Sequence, residues 1–241
     1  MRAIVCGANG AMGKLICANL GDEVVGRVSI DGENNVPKTF AELGKVEADV
    51  LIDFSHHTAI ADVLAYAKEI GCAAVIGTTG HTPEEKAMIY AAAEEIPVFF
   101  TGNTSMGIAV LCRLAKEAAK FFPDADIEIV EVHHNRKVDA PSGTALMLFN
   151  AIKEVRPNAT TNLGRSGEGK RTKDEIGISA LRMGSVVGIH EVHIHTGTQC
   201  LTLKHEAATR GMLADGAVDA ARFMVGKSKG LHNMDNILEG K

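Results

Sequence analysis

The sequence predicts an α/β protein in two parts: a parallel sheet with flanking helices, then an α+β portion on an open mixed sheet. Three observations predict this. Short apolar runs alternate with helical patterns from residue 1 to about residue 100. A glycine loop joins the first apolar run to the first helical pattern. Beyond Thr101 one long helical stretch leads into longer strands with partial alternation.

Residues 3–6 form a short buried strand, and a helix follows over 11–20. Further strands are expected at 23–30, 50–54, 72–76 and 96–100. Helical spacing of Ile60, Val63, Leu64 and Ala67 marks a helix over 57–70. Thr82-Pro83-Glu84-Glu85 starts another, with an N-cap Thr, Pro at the first helical position and Glu three residues past the cap. Strands and helices alternating at this spacing imply right-handed crossovers and a parallel sheet. In the second part, 105–122 is a long helix, 127–132 a strand, and 142–155 a helix capped by Ser142. The polar stretch 158–174 reads as a surface loop, and 176–181, 186–195 and 199–206 read as strands. A last helical pattern, 212–225, returns to the first part. The domain boundaries therefore fall at 1–104 with 212–241, against 105–211.

Hydrophobic residues make up 46% of the chain, enough for a packed core. With no Trp and only two Tyr, base-stacking surfaces for nucleic acid are not expected. A net charge of −5 requires that any attraction for an anionic ligand come from a local site. Cys6, Cys17, Cys72, Cys112 and Cys200 are scattered, odd in number and without a CxxC pair, and each falls in a segment that reads as core. Reduced, buried thiols are expected. The opening MRAIVCGANG is too short for a secretory leader, and no window approaches the roughly 20 apolar residues of a bilayer span. These readings point to a soluble cytoplasmic protein with no nucleic-acid or membrane partner.

Gly7-Ala8-Asn9-Gly10-Ala11-Met12-Gly13 follows the first strand and opens the first helix. Gly7 permits the tight turn, Gly10 lets the backbone approach a pyrophosphate, and Gly13 allows close helix–sheet packing. That context favours GxxGxxG as the phosphate loop of a Rossmann-type dinucleotide site over a merely structural tight turn. An acidic residue ending the second strand would grip the ribose of NAD, and Asp31 is the candidate, with a turn-forming role as its alternative. Only Arg27 and Lys38 are near enough in sequence to meet a 2′-phosphate, so NADH is favoured over NADPH. Gly77-Thr78-Thr79-Gly80 and Thr101-Gly102-Asn103-Thr104 follow the fourth and fifth strands, at the sheet edge where ligands bind. With the glycine loop they describe a crevice for the nicotinamide.

The segment EIVEVHHNRKVDAPSGTAL, residues 128–146, carries the chemistry. His133 and Lys137 can exchange protons. Backbone N–H groups near Gly143 and Thr144, at a helix start capped by Ser142, can hold an anion. This combination suits a small acidic substrate and a nicotinamide-dependent reductase. A histidine at a strand end can be merely structural, and Arg136 with Asp139 can be a solvated ion pair. Ten histidines raise the question of a metal. Adjacent strand residues point to opposite faces, so His56-His57 and His133-His134 are poor chelates, and His193 with His195 lacks accompanying ligands. No metal is expected, and His56 and His57 read as structural.

The chain resembles the dihydrodipicolinate reductase family of lysine and diaminopimelate synthesis. The resemblance spans nearly its whole length: GANGAMG, DFS at Asp53, GTTG at Gly77, EVHHNRKVDAPSGTAL, GRSGEGKR at Gly164, ALRMGSVVGIHEV and GKSKGL at Gly226. It implies a Rossmann-type domain, a second α+β domain that forms a homotetramer, and hydride delivery from NADH or NADPH to an unsaturated cyclic dicarboxylate. By position, His133 matches the catalytic acid/base and Lys137 the proton donor. His134, Gly143 and Thr144 match substrate carboxylate contacts, while residues 7–12, 77–79 and 101–104 match cofactor contacts. The family often has Arg where Ala11 stands, and an aromatic residue or Met where Thr104 stands.

Two rival readings share the glycine loop. A different Rossmann-type oxidoreductase, acting on amino acids or polyols, gives no reason for His133, Lys137 and the Ser-Gly-Thr turn together. A nucleotide-sensing regulator would tolerate losing His133 and Lys137.

Overall fold

The computed structural model describes residues 1–240 and divides into two compact units. The first comprises Met1–Met106 and the chain from Gly211 onward; the second is Gly107–Arg210.

In the first unit, strands β1 (Ala3–Cys6), β2 (Val24–Val28), β3 (Val50–Asp53), β4 (Ala73–Ile76) and β5 (Pro97–Phe100) alternate with helices. These are α1 (Ala11–Leu20), α2 (Phe40–Leu43), α3 (Ile60–Ile70) and α4 (Pro83–Ala92). After the second unit the chain adds α7 (Gly211–Met224), β11 (Gly230–His232) and α8 (Met234–Glu239). The sheet is wholly parallel, in the order β11-β5-β4-β3-β1-β2. Every residue of β1, β3 and β4 is buried, as a parallel sheet covered on both faces requires. Helix α3 turns Ile60, Val63, Leu64 and Ala67 into this core. Helix α4 carries the expected capping box: Thr82 Oγ1 accepts the Glu85 N–H at 3.2 Å and Glu85 Oε2 accepts the Thr82 N–H at 2.8 Å.

The second unit contains α5 (Met106–Phe121, its first residue in the first unit), β6 (Asp126–His133), α6 (Gly143–Lys153), β7 (Thr160–Leu163), β8 (Glu175–Arg182), β9 (Ile189–His195) and β10 (Cys200–Glu206). Its sheet has the order β10-β9-β6-β8-β7. The β10–β9 and β9–β6 pairs are antiparallel, and β6–β8 and β8–β7 are parallel. One face carries Ile127, Ile129, Ile176, Ile178, Val192 and Ile194, which pack against Ile108, Leu111 and Ala115 of α5 and Ala145, Leu148 and Ile152 of α6. Alternation along β6 continues that buried face to Glu131 and His133, so a strand that begins in the apolar core ends in a polar cluster.

Several expectations change. The stretch 158–174 is not all loop, because β7 lies within it as the edge strand on β8. The second strand stops at Val28, three residues before Asp31. Cys200 is exposed on β10, and only Cys6 and Cys72 are fully buried. Asp139 pairs with Lys137 at 2.8 Å instead of with Arg136. Among the described residues no helix is long and apolar enough to cross a membrane.

Candidate active site

In the first unit the loop after β1 folds as its glycines dictate. Gly7 takes φ +79°, a conformation L side chains rarely adopt, and a Cβ there would lie 2.4 Å from the Phe54 carbonyl oxygen. A Cβ on Gly13 would lie 2.1 Å from the Gly7 carbonyl oxygen, so α1 approaches the loop only because Gly13 has no side chain. The N–H groups of Gly7 and Ala8 both donate to the Val28 carbonyl, at 2.8 and 3.1 Å. Gly10 caps α1 without a side-chain bond, which leaves the first turn of the helix to a ligand. Met12 lines a cavity of about 320 Å³ beyond this turn.

Gly77, Thr78, Thr79, Gly102, Asn103 and Thr104 line the same cavity. Not all of these side chains face a ligand. The Thr78 hydroxyl donates to buried Asp53 Oδ2 at 2.6 Å, and Asp53 also accepts the Ser55 hydroxyl at 2.5 Å. Thr101 Oγ1 donates to the Asn103 carbonyl at 2.9 Å, and Thr104 Oγ1 donates to the Leu213 carbonyl at 2.7 Å. These threonines shape the backbone of the crevice. Sequence reasoning assigned no role to Asp53, the buried carboxylate that ties the loops after β3 and β4; its burial at the end of β3 was the available signal.

Asp31 lines a second, larger cleft with Gly7, Gly10, Ser29 and Lys38. Its carboxylate accepts Asn9 Nδ2 at 2.6 Å and the Glu33 N–H at 3.0 Å. These bonds, that of Asn9 foremost, hold it below the usual carboxylate range. Asn9 of the glycine loop thus positions Asp31, although Asp31 lies in the turn beyond β2. Of the two bases weighed for a 2′-phosphate, Lys38 shares this cleft, whereas Arg27 lies beside Cys17. Glycines at the close approaches, an open helix start and an anchored carboxylate fit a dinucleotide.

In the second unit His133 ends β6, and its Nδ1 is 2.5 Å from Glu131 Oε2. Glu131 is fully buried and accepts three more bonds: Arg182 through both terminal nitrogens at 2.9 and 2.8 Å, and the Ser142 N–H at 3.0 Å. Burial pushes this carboxyl up, but Arg182, His133 and the Ser142 N–H outweigh it and leave it below the usual range. His190 of β9 stacks edge-on against His133, ring centroids 5.1 Å apart, and its Nε2 is 3.2 Å from Ser142 Oγ. Burial, then the neighbouring His133, pushes the His190 pKa down to about 4.

Ser142 caps α6, as its place at the helix start predicts. It is buried, its hydroxyl caps α6 by accepting the Ala145 N–H and also meets His190, and its own N–H serves Glu131. It builds the site from behind, while Gly143 stands exposed at the start of α6. Lys137 follows on the loop, paired with Asp139. His134 Nε2 is 3.3 Å from the Arg210 guanidinium, and burial, then Arg136 and Arg210, lower its pKa. His134 is thus a neutral ring among cations, in surroundings that attract an anion. Glu131, Arg182, His190 and Arg210 escaped sequence reasoning. Glu131 alone had a local signal, a carboxylate in phase with Ile127 and Ile129.

A glycine-lined crevice in one unit, and a histidine held on a buried carboxylate among cations in the other, fit a dinucleotide-dependent oxidoreductase of a small anion. Models of the dihydrodipicolinate reductase N-terminus and C-terminus match residues 1–104 and 107–238. The chain is 40% identical over 247 residues to the 4-hydroxy-tetrahydrodipicolinate reductase of Clostridium tetani, covering 99% of this chain and 97% of that protein. It is 42% identical over 250 residues to the enzyme of that name from Caldanaerobacter subterraneus, covering 99% and 98%. A solved dipicolinate-bound dihydrodipicolinate reductase from Paenisporosarcina sp. TG-14 shares the fold, with a TM-score of 0.78 at 23% identity over 98% of this chain and 99% of that one. The chain belongs to the dihydrodipicolinate reductase family, NAD(P)H-dependent oxidoreductases of lysine and diaminopimelate biosynthesis.

Proposed function

We propose that His133 is the acid/base and Lys137 the proton donor in a hydride transfer from NADH to an unsaturated cyclic dicarboxylate, giving tetrahydrodipicolinate. The observation that carries this reading is the His133 imidazole fixed on buried Glu131, four residues before the Lys137 ammonium. Hydride addition to a conjugated imine builds negative charge on the ring, and a proton from this pair quenches it. The bound cofactor supplies the hydride, and the protein supplies placement.

His134 and the N–H groups of Gly143 and Thr144 take the substrate carboxylates, with the charges of Lys137 and Arg210 nearby. The dipicolinate in the Paenisporosarcina protein is a ring with two carboxylates, and the cationic surroundings of His134 suit a dianion of that kind. Residues 7–13, 77–79 and 101–104 form the cofactor cradle, with Thr78, Thr101 and Thr104 acting through the backbone they hold. Asp31, anchored as a carboxylate by Asn9, favours a free ribose and hence NADH; Lys38 in the same cleft gives NADPH a weaker purchase. The enzyme works in the cytoplasm as a homotetramer, a reading supported by the family likeness and by the largely exposed strand β10.

The test follows NADH oxidation with the condensation product of pyruvate and aspartate semialdehyde. His133→Gln and Lys137→Met each lower turnover by at least ~100-fold, the usual contribution of a general acid or base. Unchanged rates in both variants would end this assignment. Parallel titrations with NADH and NADPH decide the donor.

A further inference from the structure

The buried face of the five-stranded sheet is apolar until Glu131. There a carboxylate with no exposure receives four donors, two on each oxygen: His133 Nδ1 and Arg182 on Oε2, Arg182 and the Ser142 N–H on Oε1. Packing does not require this. Removing two charges from water is costly, and replacing a buried ion pair with apolar side chains of similar volume is often neutral or stabilising. An isoleucine at this position, in phase with Ile127 and Ile129, would continue the core. The register of three strands is instead spent on one imidazole. Parallel β8 sets Arg182 opposite His133, antiparallel β9 sets His190 opposite Glu131, and β10 sets His205 opposite His190.

We propose that Glu131 and Arg182 are positioning residues for the reduction. The Glu131 carboxylate holds the Nδ1–H of His133, which makes Nε2 the nitrogen that exchanges the proton. Arg182 keeps that carboxylate ionised. The inference rests on the assignment of His133 as the acid/base.

The neighbouring groups are consistent with a single exchanging nitrogen. Gly188 lies beside His133 Nε2, where a Cβ would come within 3.1 Å, so position 188 places no side chain against that atom. His190 is edge-on to the ring and neutral, engaged with Ser142 Oγ, and His205 lies beyond it on β10. On the loop after β6 the titratable and charged groups are His134, close to Arg210, then Arg136, then Lys137, paired with Asp139. The Asp139 carbonyl also accepts an Arg182 N–H at 2.6 Å, tying the Lys137 loop to the same guanidinium.

The step balances. The hydride brings two electrons and one hydrogen to the ring. One proton comes from the His133–Lys137 pair, which regains one from water while the Nδ1–H stays on Glu131. A carboxylate behind a histidine in this way fixes its tautomer and raises its basicity.

The test uses the full-length enzyme. In the 15N-histidine NMR spectrum of the wild type at neutral pH, His133, assigned by its loss in His133→Gln, is expected to carry its proton on Nδ1. A neutral ring protonated on Nε2 overturns the proposal without any further variant. Glu131→Gln keeps the volume and removes the charge. It is expected to lower kcat by ~10–100-fold, the usual scale for a residue that orients a ligand or catalytic group. KM for NADH should stay unchanged, while the limb of the pH profile governed by the protonated acid moves to lower pH.

Where Glu131→Gln fails to fold because Arg182 is left unpaired, the double variant Glu131→Gln/Arg182→Met removes both charges and is expected to show the same loss and the same displaced limb. A folded variant of either kind with wild-type kcat and an unmoved limb, against a slow His133→Gln, overturns the positioning role alone. A His133→Gln enzyme at the wild-type rate overturns the underlying assignment instead.

Discussion

Asp31 shows how a loop residue acquires a role from its neighbours. Two donors converge on its carboxylate and keep it charged at the rim of the larger cleft. If it grips the adenosine ribose, Asp31→Ala should raise KM for NADH by roughly 10-fold, the equivalent of losing one hydrogen bond to a charged group. KM for NADPH should hold or fall. Initial-rate titrations with both donors read the ratio, and an unaltered ratio would remove Asp31 from the site. The turn at Gly7 and the carboxylate beside it were legible in the sequence because their geometry is local: a turn that needs φ > 0, an acidic residue close after a strand. Arg182 and His190 were not. Their meaning depends on which strands pair and in what register, and nothing near either residue encodes that they flank Glu131.

Elements were legible in proportion to how strongly they are patterned. The Thr82-Pro83-Glu84-Glu85 start is local chemistry, and it forms the capping box that its residues dictate. Replacing Thr82 by Ala should cost about 1 kcal/mol, because the Glu85 N–H loses its acceptor. Urea unfolding measures this as a lower midpoint at unchanged slope, and a midpoint within error of the wild type would show the cap to be redundant. By contrast, β7 reads Thr160-Thr161-Asn162-Leu163, with neither an apolar run nor alternation around a buried face. It is a strand because β8 offers it an edge, so its backbone pairing and not its side chains decides. The four-residue α2 and the three-residue β11 are too short for any periodicity to register.

On the scale of the whole molecule, folding keeps several histidines neutral. Burial is the leading cause for His81, His134, His190 and His205, and His190 falls to about 4. Unfolded, each would titrate near 6.5. The unfolded chain therefore binds protons first, and the stability present above pH 6.5 is lost as pH falls towards 4, by up to about 3 kcal/mol for His190. Carboxylates held low, such as Glu131 and Asp49, add their own loss at lower pH, beginning as pH falls through the ordinary carboxylate range. Urea midpoints should thus drop between pH 7 and pH 5, and His190→Asn should flatten that drop; a flat wild-type profile contradicts the account. The two-part organisation was legible at this scale, because the change from alternating short strands to long ones is a property of many residues together.

The first unit is interrupted in sequence, and this bears on how the protein is made. Strand β5 receives its outer neighbour β11 only after the whole second unit has been translated and Gly230–His232 have left the ribosome. Until then Pro97–Phe100 is a bare margin, open to pairing with other nascent chains.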